Sequence, residues 1–99
     1  MEIPFVNEPK DPISALQFFI HESSQVHGQD YGDCMREWNR DILFLKHCWL
    51  RDQASTPVPQ AAFQKLEAIQ NYVQFTPNWN VQATRLQILK DAHEIEKIL

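Results

Sequence analysis

The sequence predicts an all-α fold: a compact four-helix bundle-like domain with an extended, proline-containing N-terminal arm. Three observations predict it. Apolar residues recur at steps of three and four in four separate segments. Only two glycines stand against ten glutamines and many Leu, Ile and Ala, a composition that favours helix. Prolines fall between the periodic segments, where they stop helices or start them.

Ninety-nine residues make one domain over residues 1–99. A chain of this size buries roughly 60–68% of its unfolded surface, so a single core forms without staples. The composition, 43% hydrophobic and 22% charged, is that of an ordinary globular chain.

Residues 1–11 read as an extended arm. Pro4, Pro9 and Pro12 hold it out of helix, and Ile3, Phe5 and Val6 are its apolar side chains. They either cover the domain's own core or dock on another chain.

The first helix is expected over about 12–24. Asp11 is its N-cap, Pro12 suits the first helical position, and Ile13, Leu16, Phe19 and Ile20 mark the inner face. "QVHGQDYGD" follows as a loop and holds both glycines.

The second helix, about 31–53, carries the clearest pattern. Tyr31, Met35, Trp38, Ile42, Leu45 and Trp49 form a seam at heptad spacing, with Asp30 or Asp33 as cap. Leu43, Phe44, Cys48 and Leu50 lie off that seam, so the second half, "ILFLKHCWL", is apolar nearly all round. That pattern predicts burial on several sides.

The third helix is expected over about 57–75, with Thr56 capping and Pro57 at its first position. Ala62, Leu66, Ile69 and Val73 form its inner face. "FTPNW" ends it, because Thr76 precedes a proline. The fourth helix takes about 80–99, with Ile88, Leu89, Ala92, Ile95 and Leu99 inward and Lys90–Glu94 as an exposed pair. Its apolar last residues point to a longer parent chain or to a partner over the end.

Charge and motifs exclude several functions. The net charge is −4, and residues 1–33 alone contribute −5. No block is strongly basic, so nucleic acid is not the expected partner. The longest wholly apolar run, 42–45, is far too short to cross a membrane. No basic and apolar leader opens the chain. Cys34 and Cys48 lie about 21 Å apart along one helix, too far for a disulfide. Reduced thiols place the protein inside the cell, in cytoplasm or nucleus.

No catalytic, metal or cofactor site is expected. His47 and Cys48 are adjacent on a helix and therefore point about 100° apart, unlike a Cys–His nucleophilic pair. The six candidate ligands His21, His27, Cys34, His47, Cys48 and His93 show no zinc spacing. "HGQDYGDC" mixes hard and soft ligands and is not a calcium loop. Glu22, Glu37 and Glu67 read as solvated positions. No phosphate loop or hydrolase motif is present.

What remains is aromatic. Trp38 and Trp49 belong to the core seam. Phe18, Phe44, Tyr72, Phe75 and Trp79 lie off the main faces and are the candidate partner-binding residues, because aromatic side chains dominate binding hot spots. Arg36 and Arg40, one turn apart, add a site for a partner's carboxylate or phosphate, although Glu37 and Asp41 flank them as on an ordinary charged face. The expected function is non-enzymatic: a helical adaptor domain, or a small subunit of a larger assembly. It would bind an amphipathic or extended segment of a partner protein, such as a helical peptide. The alternative is a self-associating homodimer. A Cys/His enzyme or metal protein ranks third.

Overall fold

The computed structural model describes residues 9–76 and 79–99. It contains four helices and, among the described residues, no strand: α1 (Pro12–Gln25), α2 (Tyr31–Asp52), α3 (Gln60–Phe75) and α4 (Val81–Ile98). The fold is all-α and bundle-like. Residues 1–8, on which the expected arm mostly falls, and Pro77 and Asn78 lie outside the described residues.

Three of the four helices begin where a side chain accepts from a free backbone N–H group. Asp11 accepts from the Ser14 amide at 2.8 Å, with Pro12 inside the first turn of α1. Asp30, not Asp33, caps α2 by accepting from the Asp33 amide at 2.9 Å. Asn80 caps α4 through the Ala83 amide. α3 departs from expectation. It starts at Gln60, behind Pro59, with no side-chain cap. Pro57 and Pro59 both lack an amide hydrogen, so the cap that Thr56 would provide has little left to satisfy. Thr56 instead donates its amide to the Asp52 carbonyl and closes the end of α2. Gly32, read as loop, lies within the first turn of α2.

The helices form a ring. α1 packs on α2 and α4, and α3 packs on the same two. Neighbours run antiparallel. Trp38 of α2 donates its indole N–H to the Ser23 carbonyl near the end of α1, and Trp49 donates to the Pro12 carbonyl at its start, each at 3.2 Å. The Tyr31 hydroxyl likewise donates to the Val73 carbonyl at 2.7 Å, at the far end of α3. Arg85, in the first turns of α4, donates to the Val26 carbonyl just beyond α1.

The core fills the ring. The α2 seam is buried except for half-buried Met35, and Cys34 and Cys48 join it. Ala62, Leu66, Ile69 and Val73 are buried as the α3 periodicity predicts, as are Ile88, Ala92 and Ile95 of α4. Leu89 and Leu99 are half-buried. Three expectations fail. Ile13 is exposed, and Ala15 takes its place in the α1 core. The second half of α2 is not covered all round: Leu43 is 55% exposed and Leu50 60%. A ring gives each helix two neighbours, so among the described residues none covers the outward side of α2. Glu94 pairs with Lys65 of α3 rather than with Lys90.

Candidate functional site

The expected partner-binding residues do not form one patch. Phe18 of α1 and Phe44 of α2 meet edge to face across the α1–α2 seam, with centroids 5.5 Å apart. Antiparallel packing dictates this, since positions 18 and 44 lie level between the two tryptophan contacts. Phe44 is half-buried against the core, and Phe18 keeps its outer part in water. The His47 ring lies tilted beside Phe44, with centroids 6.4 Å apart.

Phe75 and Trp79 lie at the opposite end of α3. Phe75 is 74% exposed on the last turn. Trp79 is 58% exposed, and its ring meets Tyr31 edge to face at 5.4 Å. Its backbone sits at φ 52°, the left-handed region that costs a non-glycine residue roughly 1–2 kcal/mol. Tyr72 is half-buried. Behind Trp79, Tyr31 and Thr84 make a buried polar link in which the Thr84 hydroxyl donates to the Tyr31 oxygen at 3.4 Å. Burial raises the Tyr31 phenol above its ordinary range, and the Thr84 hydroxyl partly offsets this.

Arg36 and Arg40 lie on the outward side of α2, each with 72% of its side chain exposed. Arg36 pairs with Asp33, and Arg40 reaches Glu37 at 3.9 Å. Both line a shallow polar groove of about 430 Å³ with Gly28, Gln29, Asp33 and Glu37. Beside it, half-buried Asp41 is pushed up to about 7. Burial is the main cause; Arg40 opposes it, and Glu22 of α1 and Glu37 reinforce it.

A second cleft, of about 490 Å³, opens at the other end of the bundle. Asp11, Pro12, Ile13 and Ser14 line one side, Thr56, Pro57 and Pro59 the other, and Leu99 its edge. Arg51 stands at the end of α2. It pairs with Asp52 at 2.9 Å and donates to the Pro9 carbonyl at 2.6 Å. That hydrogen bond ties the segment before α1 to the end of α2.

The residues weighed for catalysis or metal binding are dispersed. Cys48 is buried while the adjacent His47 is exposed, so they share no site. Of the "HGQDYGDC" group, Asp30 caps α2, Asp33 pairs with Arg36, Cys34 is buried and His27 contacts the Gln25 carbonyl. Among the described residues, no three His, Cys, Asp or Glu side chains gather as a metal ion would need. No described helix is long and apolar enough to cross a membrane.

Sequence reasoning missed Leu43 and Leu50 as surface residues. The signal was present in their spacing: Arg36, Arg40, Leu43, His47 and Leu50 step by four, three, four, three, a second heptad stripe opposite the buried one. No protein-family model matches the chain, and no curated protein or solved structure matches it at a significant level.

Proposed function

We propose that this chain is a protein-binding helical module that acts by association rather than by catalysis. One observation carries the reading. The core is closed by fully buried residues from all four helices, yet Leu43, Leu50, Phe75, Trp79 and Leu86 stay largely exposed. Exposed apolar side chains that lie together mark binding surfaces, and Leu43 and Leu50 share one stripe of α2 while Phe75 and Trp79 lie close in sequence at the end of α3. Two buried cysteines without a disulfide suit a reducing, intracellular compartment.

The test places a photo-crosslinking residue at Leu43, at Phe75 or at Gln64, an exposed polar position of α3. Each full-length variant is irradiated in extract, and its mass is measured by light scattering at two concentrations. A discrete adduct from Leu43 or Phe75 but not from Gln64, on a chain of 11.7 kDa mass, is the expected result. Equal adducts from all three positions, or none, overturns the reading. A mass that rises with concentration transfers it to self-association.

A further inference from the structure

The exposed positions of α2 are Arg36, Arg40, Leu43, His47, Leu50 and Arg51. None is acidic, although the chain as a whole carries −4. The first five form one stripe about 21 Å long at a rise of 1.5 Å per residue. Its N-terminal half presents two arginines and its C-terminal half two leucines, with His47 between the leucines. Phe44, backed by Phe18, widens the apolar half toward α1. Two carboxylates of α2, Asp33 and Glu37, line the groove with these arginines and are engaged by them. Asp33, Glu37 and Asp41 are all half-buried, and the first two are paired with the arginines.

We propose that this stripe docks an acidic amphipathic helix from another protein. The leucines take its apolar face, and Arg36 and Arg40 take carboxylates one to two turns away. The proposal rests on the binding reading above and gives it a place and a chemistry. Charge selects the occupant. Arginine holds carboxylates in fork geometry, and both guanidinium groups stay in water after their local pairs are made. A second copy of this chain offers the wrong complement. Laid parallel, it stacks arginine on arginine. Laid antiparallel, it brings the C-terminal half of α2 to the arginines, and Asp52, the one acid there, is held by Arg51. An anionic membrane calls for a cluster of about four to eight cations, more than this stripe presents.

The probe is a fluorescein-labelled helical peptide of about twenty residues. It has leucines at i, i+3 and i+7 and glutamates beyond one end. The control carries lysine for each glutamate. Anisotropy with the full chain is expected to show the acidic peptide binding at least about tenfold more tightly, with the gap narrowing from about 50 to about 300 mM salt. Leu43→Ser is expected to weaken binding by about tenfold, and Gln64→Ser, at an exposed position of α3, to leave it unchanged. Arg36→Glu with Arg40→Glu should reverse the peptide preference. The milder Arg→Gln pair, checked by thermal melting, should abolish the preference without unfolding the chain.

Equal binding of both peptides overturns the proposal. So does no saturable binding up to about 1 mM, an equal effect of Gln64→Ser, or a preference for anionic phosphatidylserine vesicles over the peptide. If the proposal fails while the Phe75 crosslink persists, only this placement is lost. If both fail, the binding reading falls with it.

Discussion

The indole N–H of Trp49 donates to the carbonyl of Pro12, 37 residues earlier in the chain, at 3.2 Å. One fully buried side chain thereby fixes where α1 begins against α2, and its ring meets Phe63 of α3 edge to face at 5.3 Å. Three helices share this residue. Trp49→Phe removes the hydrogen bond and part of the packed volume. It is expected to cost about 1–3 kcal/mol, read as a lowered urea midpoint with an unchanged slope. No change in the midpoint would show that the Pro12 contact contributes nothing to the fold.

Leu43 and Leu45 differ by two positions and by almost everything else. Leu45 is fully buried, and Leu43 faces water. Leu45→Ala is expected to destabilise by about 2–5 kcal/mol, while Leu43→Ala stays within about 0.5 kcal/mol. Thermal melting of the two variants side by side checks the orientation of α2. A large cost at Leu43 would mean that its outward face is covered.

Asp41 should give the fold a measurable pH dependence. Its carboxyl is raised to about 7 in the folded chain and returns to about 4 on unfolding. Between these values the native state holds a proton that the unfolded state has lost. Stability from this group is therefore greatest below about pH 4, declines as pH rises through about 7, and is level above that. Asp41 is partly in water, so the effect is discounted to about 1–2 kcal/mol. Asp41→Asn should raise stability at pH 8 by that amount and flatten the slope between pH 5 and pH 8. Taking the difference between variant and parent cancels the titration of the other carboxylates. A variant with the same slope as the parent would contradict the assignment.

Gly28 lies where the chain turns into α2. A Cβ placed there would come within 2.5 Å of the Asp33 Cβ and 3.2 Å of the Cys34 amide nitrogen. Asp33 cannot swing away freely, because its amide is bonded to Asp30 and its carboxylate to Arg36. Gly28→Ala should cost about 1–3 kcal/mol. Chemical denaturation tests this, and a cost near zero would mean that the loop yields without strain.

Phe75 projects from the last turn of α3 with most of its surface in water. Phe75→Ala should therefore leave the melting temperature nearly unchanged, equivalent to about 0.5 kcal/mol or less. If the residue serves binding, the same variant loses partner affinity. A substantial fall in melting temperature would place Phe75 among the structural residues instead.

The sequence by itself determined the four helices and most of their inner faces. Helical periodicity is a local property, and side chains at i, i+3, i+4 and i+7 share a face wherever the helix lies. Thus Leu66, Ile69 and Val73, or Trp38, Ile42 and Leu45, could be assigned to the core before any neighbour was known. Capping was local as well, since Asp11, Asp30 and Asn80 each bond an amide three residues ahead. The tertiary structure alone decided which apolar residues outside those faces gained cover. Phe44 did, from α1; Leu43 and Leu50 did not, because among the described residues the ring places nothing outside α2. It also decided the charge environment of Asp41, which depends on Glu22 from another helix. Composition and spacing carry the first kind of information. The second arises from distances between segments remote in sequence, so it appears only when the helices have closed around their core.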